Sequence, residues 1–470
     1  MNQKINELLS TVLMEKNISF LIGAGASSPF FSSLGNLENV LTNENINEDG
    51  KRLIKALFYD ASIANNIYLV EHLQDQVISN DENKEMMFSI LIEYKRFIHN
   101  ILEYMKVRNS RVSPKRTNII TTNYDLFIEA AIDDILEDNP RVHFNDGTNG
   151  YTKKILQTDN FNKTLLYSGV FDNYSNEMPT INLIKCHGSV NWQTYYSNDN
   201  KKRIQVSSSI SIIQELNSLI DSLFDDIEAF TSDSEDLKKW LPTIDDLFEL
   251  INEENSENIK EDINLIGNHF SEELSEIVNK LEKIQIVYPT KKKFESTLVN
   301  EYYFNLLRLL SYELEKEQST LIVFGFSFYD EHITEIVQRS LNNPNLLVII
   351  LCFSDKSKNE IISNFNFTSN TIPNNIKFVT PSDFIIKTVD IETYKEETED
   401  EDLLASNIIY DKEEVTIYSK EVSFIKNNSI NKIATLDFNS LNRLLETDIT
   451  NTFNEKHFSN LTDEGDDLFE

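Results

Sequence analysis

The sequence predicts an α/β protein built on a parallel β-sheet that helices cover on both faces. Short apolar segments recur along the chain, and segments with helical spacing of their apolar residues lie between them. Strands that are apolar throughout are typical of parallel sheets, because both faces of such a sheet are buried. The pattern is that of a Rossmann-like fold. The predicted strands are 18–23, 117–123, 181–188, 319–327, 345–353 and 376–385.

The helices predicted between these strands are amphipathic. Apolar residues three and four positions apart form one side of each, as Ile5, Leu8, Leu9 and Val12 do in the first. A helix that covers a sheet needs one such apolar face. The predicted helices are 5–16, 86–105, 124–136 and 329–341.

Composition divides the chain into three parts. Residues 1–390 hold all strands of the predicted sheet and form the main domain. Within it, residues 206–285 are acidic, rich in leucine and isoleucine and nearly free of glycine, which predicts a helical insertion. The acidic stretch 391–402 is predicted to be a linker. Residues 403–470 alternate in a β-like way before a helical segment, so we predict a small C-terminal α+β module.

Charge and cysteine content exclude several classes of function. In 470 residues, 43 basic and 77 acidic side chains give a net charge of −34, which repels phosphate backbones, so we expect no direct nucleic-acid binding. Cys186 and Cys352 lie in apolar runs and are expected to be buried thiols. The most apolar run, 346–353, is too short to span a bilayer. We therefore expect a cytoplasmic protein without membrane contact.

The stretch GAGAS, Gly23–Ser27, follows the first predicted strand. It uses two of only 11 glycines in the chain. Glycines after a buried strand let a ligand approach the backbone, whose N–H groups can hold a pyrophosphate, and Ser27 adds a hydroxyl donor. An ordinary tight turn has the same composition, and Ser28 stands where the GxGxxG motif has its last glycine. Both interpretations remain open for this stretch alone.

Polar residues also follow the next two strands. In TTNYD, Thr121–Asp125, Asn123 can donate and accept hydrogen bonds to a ribose hydroxyl or a water. Asp125 belongs either to this site or to the start of the following helix as its N-cap. In KCHGS, Lys185–Ser189, a glycine after His187 allows a sharp turn. His187 is a candidate general base, although a single histidine is more commonly structural.

A fourth stretch, GFSFYD at 325–330, follows the apolar segment LIVF, 321–324, of its predicted strand. Gly325 and Ser327 are candidates for holding a second part of the same ligand, and a plain strand-to-helix turn is the alternative. The carboxyl ends of parallel strands meet at one edge of a sheet. We therefore expect the four stretches to form a single site.

The order of these four stretches resembles the sirtuin family. Sirtuins carry a GAGxS phosphate loop, a T-x-N-x-D motif, a catalytic HG and a G-[TF]-S motif in this order, and the resemblance covers roughly residues 15–390. It implies an NAD site in which Asn123 positions a water or a ribose hydroxyl and His187 is the general base. The resemblance also assigns Gly23, Ala24, Gly25 and Ser27 to the phosphates, Asn123 and Asp125 to the nicotinamide ribose, and Gly325 and Ser327 to the adenosine half, with Thr122 as a further cofactor-binding residue.

Two departures from the sirtuin pattern narrow the expected function. No CxxC pair occurs, so the zinc ribbon of the deacetylases is missing and we expect no metal. The segment after the phosphate loop, PFFSSLGNLENVL at 29–41, lacks the arginine of the family. Both changes look like the sirtuin-like NAD hydrolases of bacterial antiphage defence. The resemblance thus implies an NAD+ glycohydrolase that releases nicotinamide and ADP-ribose and depletes cellular NAD in abortive infection.

Two alternatives and two kinds of partner accompany this expectation. In the first alternative the chain is a zinc-free NAD-dependent protein deacylase. In the second it is a non-catalytic scaffold that senses NAD or ADP-ribose. Asn123 and His187 together favour catalysis, because a sensor needs neither. The resemblance also implies a homo-oligomer and, as in some relatives, a HerA-like ATPase as partner. Such an ATPase would be a separate subunit, because this chain has no P-loop lysine motif.

Overall fold

The computed structural model of the chain describes residues 2–32, 37–41, 43–74, 82–108, 114–168, 175–197, 200–207, 211–232, 256–287, 297–365, 367, 372–390, 408–411, 414–427 and 431–446. The α-helices are α1 (Asn2–Glu15), α2 (Leu37–Leu41), α3 (Glu48–Tyr59), α4 (Asn66–Leu73), α5 (Glu82–Val107), α6 (Phe127–Asp138), α7 (Ser211–Ser232), α8 (Ser256–His269), α9 (Ser271–Leu281), α10 (Thr297–Glu315), α11 (Glu331–Ser340), α12 (Asp355–Asn364) and α13 (Phe438–Leu445). The strands are β1 (Asn17–Ile22), β2 (Arg116–Thr121), β3 (His143–Asn145), β4 (Thr148–Asn149), β5 (Lys154–Leu156), β6 (Leu166–Ser168), β7 (Ser175–Glu177), β8 (Thr180–Lys185), β9 (Gly188–Tyr196), β10 (Lys202–Val206), β11 (Ile284–Ile286), β12 (Ser319–Phe324), β13 (Leu347–Leu351), β14 (Ile376–Val379), β15 (Ile385–Asp390), β16 (Ile408–Asp411), β17 (Glu414–Tyr418), β18 (Ser423–Asn427) and β19 (Asn431–Thr435).

A seven-stranded sheet forms the centre of the fold, in the order β14-β13-β12-β1-β2-β8-β3. All its strands run parallel. Ile18 of β1 pairs with Thr320 of β12 on one side and with Thr117 of β2 on the other. The chain thus builds one half of the sheet from β1 outward and the other half from β12, which puts the topological switch point between these two strands. The predicted α/β Rossmann-like fold is confirmed.

Strand β1 illustrates why these strands are apolar on both faces. Phe20 packs edge-on against Phe97 of α5, with ring centroids 4.9 Å apart. The next residue, Leu21, belongs to the cluster on the opposite face, together with Leu310 of α10. Both β1 side chains are fully buried, which stabilises the fold by roughly 1.5–3 kcal/mol for each. The sheet is therefore covered by helices on both faces.

All predicted strands are present, but the one predicted at 376–385 ends at Val379 and is followed by a 3-10 helix, Pro381–Phe384. Those that precede the functional stretches also end earlier than their apolar runs. β2 ends at Thr121, β8 at Lys185 and β12 at Phe324. After β2 the reason is local, because the Asn123 N–H donates to Thr121 Oγ1 at 3.0 Å instead of pairing with a strand. The candidate functional residues therefore lie in loops beyond the strand ends.

A second, antiparallel sheet in the order β11-β9-β10-β5-β4 does not figure in the sequence-based prediction. The predicted insertion at 206–285 is helical in α7, α8 and α9, and residues 233–255 lie outside the described residues. The insertion ends in β11, where Ile286 pairs with Gly188 of β9. Its last strand is thus fixed beside the turn that carries His187.

The described part of the predicted C-terminal module packs against the main body. Its strands and its helix α13 are present, and β17 pairs with β15. On α5, Arg96 forms an ion pair with Glu446, and the Tyr94 ring contacts Phe438 at a centroid distance of 4.7 Å. The predicted linker at 391–402 lies outside the described residues, as does 447–470. The described C-terminal residues therefore share the core of the main domain.

The two cysteines are buried, as predicted. Cys186 is 1% and Cys352 is 0% exposed, and both are free thiols. Burial raises the pKa of each thiol to about 12, so both stay protonated at neutral pH. None of the described helices is long and apolar enough to cross a membrane.

Candidate functional site

Four loops meet at one edge of the central sheet. β12, β1, β2 and β8 are consecutive neighbours, and one predicted functional stretch follows the carboxyl end of each. Open parallel sheets bind ligands at this edge, beside the switch point. The structure therefore brings together residues 23–27, 121–125, 185–189 and 325–330, which are far apart in the sequence.

Close packing between two of these loops requires their glycines. A Cβ at Gly23 would lie 2.4 Å from the carbonyl oxygen of Gly325, and one at Gly25 would lie 2.9 Å from Gly325 Cα. The Gly25 N–H donates to the same carbonyl oxygen at 2.9 Å. Gly325 has a φ of +65°, and a Cβ there would lie 2.6 Å from Ala26 N. The glycines thus let the loops after β1 and β12 meet backbone to backbone.

Ser27 lies beneath the glycine loop and is 1% exposed. Its hydroxyl donates to Asp125 Oδ2 at 2.7 Å, accepts from Asn123 Nδ2 at 3.1 Å and lies 2.9 Å from the Tyr94 hydroxyl. A serine hydroxyl has one proton and two lone pairs, and these three contacts use them all. In this structure Ser27 therefore positions Asn123.

The side-chain amide of Asn123 is held in one orientation. Its Nδ2 donates to the Gly23 carbonyl oxygen and to Ser27 Oγ, both at 3.1 Å. Its Oδ1 is buried and has no hydrogen-bond partner among the described residues. Buried polar side-chain atoms nearly always have a partner. Oδ1 is therefore a fixed acceptor that is available to a ligand or a water.

Thr122 and Asp125 flank Asn123 in different ways. Thr122 is half-buried, and its N–H donates to the Ile22 carbonyl oxygen at 3.3 Å. The Asp125 carboxylate accepts from Ser27 and also from the Phe127 N–H at 3.2 Å, at the start of α6. Asp125 is not the N-cap that one alternative predicted, because Leu126 has that position, but its carboxylate bonds the first residue of α6 and joins the Ser27 network as well. Burial raises the pKa of its carboxyl.

Buried Lys185 connects the loops after β2 and β8. Its Nζ lies 2.7 Å from Glu129 Oε1, donates to Ser189 Oγ at 2.9 Å and donates to the Asp125 carbonyl oxygen. Burial raises the pKa of the Glu129 and Asp125 carboxyls, and the charge of Lys185 offsets only part of that rise. The lysine therefore fixes the two loops relative to each other.

Replacing Glu129 by glutamine is expected to remove one source of pH dependence. Burial raises the pKa of the Glu129 carboxyl in the folded state, so the folded protein holds this proton more tightly than the unfolded chain does. The stabilisation from that proton is fully present below the ordinary pKa of 4.5 and is lost as the pH rises through the folded pKa. Glu129→Gln should therefore gain stability relative to the wild type with rising pH, by at most about 1.4 kcal/mol per pH unit. Urea midpoints of both proteins across this range measure the effect, and a pH-independent difference would contradict it.

His187 lies in the turn between β8 and β9 and is 9% exposed. Its Nε2 is 3.1 Å from Asp330 Oδ2, which is an ion-pair distance, and makes no hydrogen bond within the described parts of the chain. The Tyr303 ring lies 5.9 Å from the imidazole. Gly188 makes the predicted sharp turn, with a φ of +84°, and a Cβ there would lie 2.1 Å from the Gln285 carbonyl oxygen.

Asn123 and His187 occupy equivalent positions after neighbouring strands. Each lies two residues beyond the last paired residue of its strand, in the β2–β8 register. Adjacent strands are about 4.8 Å apart. The Tyr124 hydroxyl donates to the Val287 carbonyl oxygen at 2.6 Å, and the Val287 N–H donates to the His187 carbonyl oxygen at 2.8 Å. The two loops are thus tied together on this side as well.

Sequence analysis did not assign Asp330 or Tyr303 to the site. An aspartate directly before a helical segment is a recognisable N-cap signal in the sequence. In the structure, Asp330 Oδ1 accepts from the N–H groups of His332 at 3.0 Å and Ile333 at 3.2 Å, as an N-cap does. The Tyr303 hydroxyl is buried without a hydrogen-bond partner among the residues described, and burial raises its pKa. Nothing in the sequence distinguishes Tyr303 from an ordinary core residue of α10.

The remaining predicted residues line the outer part of the site. Gly25 and Ser327 are exposed, whereas Ala24 and Gly325 are half-buried. Phe328, on the same loop as Ser327, is 1% exposed and has a φ of +59°, which is rare for an aromatic residue. Backbone strain of this kind is concentrated at functional sites. In the loop after β12, the strained residue Phe328 is therefore buried, whereas its neighbour Ser327 is exposed.

The fold and the site define an α/β protein with a polar centre at the carboxyl edge of a parallel sheet. In the described ranges, no group of three or more histidine, cysteine, aspartate or glutamate side chains could hold a metal ion. Comparison with protein-family models and with curated proteins gives no match for the chain. Its function is therefore inferred from the chemistry of the site.

Proposed function

We propose that this chain hydrolyses NAD to nicotinamide and ADP-ribose at Asn123 and His187. One observation carries the proposal. Asn123 Oδ1 is buried without a hydrogen-bond partner in the part of the chain that the structure describes, and the buried His187 imidazole follows the neighbouring strand, with Nε2 3.1 Å from the Asp330 carboxylate. Both belong to loops that leave neighbouring parallel strands. Nucleotides bind at this edge of open α/β sheets.

Local charge and loop geometry suit NAD as the substrate. The nicotinamide ring of NAD is a cation, and the Asp330 side chain beside His187 is only 7% exposed. A buried carboxylate acts more strongly on a nearby cation than an exposed one, because water screens it less. Gly25 is exposed, so the outer face of the loop after β1 is open to a ligand, while the backbone at Gly325 occupies the space of its missing side chain. The order of the four loops, which resembles that of sirtuins, supports the same substrate.

The reaction needs one water molecule and one proton acceptor. The bond between the ribose C1′ and the nicotinamide nitrogen breaks, and its electron pair stays on nitrogen, so nicotinamide leaves as a neutral molecule. The water oxygen bonds to C1′, which gives ADP-ribose. His187 takes the proton that the water loses, as a general base does. The protein otherwise contributes by holding the ribose and the water in place.

Asn123 is the positioning group in this scheme. Both hydrogens of its amide are used within the protein, so Oδ1 can only accept a hydrogen bond. The water and the ribose hydroxyls both offer an O–H donor. A bond from either to Oδ1 fixes the reacting centre beside His187.

A wider cellular role follows from the resemblance to sirtuin-like defence enzymes. In this role the chain depletes NAD as an effector of antiphage abortive infection in the cytoplasm. It assembles as a homo-oligomer and works with a HerA-like ATPase subunit. Light scattering of the purified chain tests the assembly, and a monomer at every concentration would contradict it.

Product analysis tests the proposed reaction. Purified chain is incubated with NAD, and nicotinamide, ADP-ribose and cyclic ADP-ribose are separated and quantified. We expect nicotinamide and ADP-ribose in equal amounts without any added peptide. Turnover that requires an acyl-lysine peptide and yields O-acyl-ADP-ribose would identify a deacylase instead. Cyclic ADP-ribose as the main product would identify a cyclase, and NAD that binds and is recovered intact would identify a sensor.

A further inference from the structure

We propose that Asp330 is a positioning residue that holds the His187 imidazole ready to accept a proton. The inference rests on the proposed function for its reaction, but the contact itself is independent of the substrate. His187 Nε2 lies 3.1 Å from Asp330 Oδ2, and both side chains are almost fully buried. Asp330 comes from the loop after β12, at the far side of β1 and β2 from the strand that carries His187.

The backbone fixes the Asp330 carboxylate from the other side. Its Oδ1 accepts from the first N–H groups of α11, those of His332 and Ile333. The Thr334 hydroxyl donates to the Phe328 carbonyl oxygen at 2.9 Å and to that of Asp330 at 2.7 Å, so the loop itself is tied to the helix. One carboxylate oxygen is thus used as an N-cap, and the other faces the imidazole.

A helix N-cap does not need a histidine beside it, so the arrangement does more than start α11. A carboxylate near Nε2 favours the imidazole tautomer whose proton is on that nitrogen, which leaves the lone pair of Nδ1 to accept a proton. The same negative charge stabilises the imidazolium ion that forms. Asp330 therefore orients the base and favours its charged form, without contact with the reacting atoms.

Other titratable groups near the imidazole do not compete with this role. Tyr303, Tyr124 and Cys186 share the environment of Asp330, which contributes to raising the pKa of all three, after burial. They are therefore uncharged at neutral pH. The centroid of the His332 ring lies 6.3 Å from that of the Tyr303 ring. The carboxylate of Asp330 thus dominates the charge that these groups present to His187.

The substitution Asp330→Asn separates the two roles of this side chain. Asparagine is as good an N-cap as aspartate, so α11 keeps its start, but the negative charge is lost. We expect kcat for nicotinamide release, measured at saturating NAD, to fall at least tenfold. The acidic limb of the pH–rate profile should move to lower pH, because the imidazole is protonated less readily without the carboxylate.

A matched control exists in the N-cap of α13. Asp437 accepts from the Ser440 N–H at 2.9 Å, in the same way as Asp330 caps α11. Asp437→Asn should keep the wild-type kcat and pH profile. If Asp330→Asn lowers the unfolding midpoint more than Asp437→Asn does, Asp330→Ser is a second variant that keeps a cap without the charge.

An NMR titration makes the test independent of NAD turnover. Histidine side chains are labelled, and the His187 resonances are identified by their loss in His187→Ala. In Asp330→Asn the titration midpoint of the His187 ring should lie at lower pH than in the wild type. An unchanged midpoint would overturn the inference. A shifted midpoint in a chain that does not cleave NAD would leave the Asp330–His187 pair standing and would refute the proposed function alone.

Discussion

Replacing His187 by alanine is expected to slow nicotinamide release from NAD by about 10²–10⁴-fold. The imidazole is the group proposed to take the proton from water, and a water molecule in its place is a much weaker base. The fold should persist, because the described residues provide no hydrogen-bond partner for Nε2 that the loop depends on. The rate is measured at saturating NAD, and urea unfolding of the same preparation verifies the fold.

His143→Ala is the matched control for this experiment. His143 is half-buried and pairs with Thr180 at the amino end of β8, whereas His187 follows the carboxyl end of the same strand. The variant should release nicotinamide at the wild-type rate. A wild-type rate in His187→Ala as well would mean that the base is elsewhere.

Replacing Lys185 by methionine is expected to lower the free energy of unfolding by about 3–5 kcal/mol. The lysine is 3% exposed and lies 2.7 Å from Glu129 Oε1. Methionine fills similar space but leaves the Glu129 carboxyl buried without its cation. It also removes the hydrogen bonds to Ser189 and to the Asp125 carbonyl oxygen. Chemical denaturation followed by circular dichroism measures the loss.

Two further variants separate charge burial from packing. Adding Glu129→Gln to Lys185→Met should recover a large part of the loss, since the uncompensated buried charge is gone. Lys106→Met breaks an ion pair with Glu103 of the same 2.7 Å length, but the Lys106 side chain is 41% exposed. That variant should lose less than about 1 kcal/mol. An equally small loss in Lys185→Met would contradict a tightly coupled buried network.

The central sheet could be predicted because both faces of its strands are buried, which restricts the strands to apolar residues. Phe20 and Leu21 are adjacent yet face opposite layers of helices, so only apolar residues fit at either position. Such a run is visible in the sequence without any knowledge of the partners. The positions of Asn123 and His187 at the strand ends follow from the same runs, because parallel strands end at a common edge.

The reason for the glycines could not be predicted. The sequence suggests that a ligand approaches Gly23 and Gly25, but the space of their missing side chains is occupied by the backbone at Gly325. This contact joins loops at opposite ends of the main domain's sequence. The role of Ser27 could not be predicted either, because its hydroxyl bonds to Asp125 and Asn123, which lie about 100 residues away in the sequence.

Long-range pairs explain the other differences. Asp330 can be identified as an N-cap from its own helix, but its contact with His187 depends on the order of strands in the sheet. The antiparallel sheet assembles strands from separate regions, including β11 after the helical insertion. The packing of Phe438 on Tyr94 likewise brings the C-terminal residues into the main core. Local pattern carries no information about such partners.

Nicotinamide release by Asn123→Ala, beside the wild type, tests the central claim most directly. The variant removes the unpartnered Oδ1 and the two hydrogen bonds of its amide, while the buried Ser27 and Asp125 keep their bond. The proposed site predicts that the wild type releases nicotinamide and ADP-ribose in equal amounts and that the folded variant is at least 10²-fold slower. A folded Asn123→Ala protein that releases nicotinamide at the wild-type rate would contradict it.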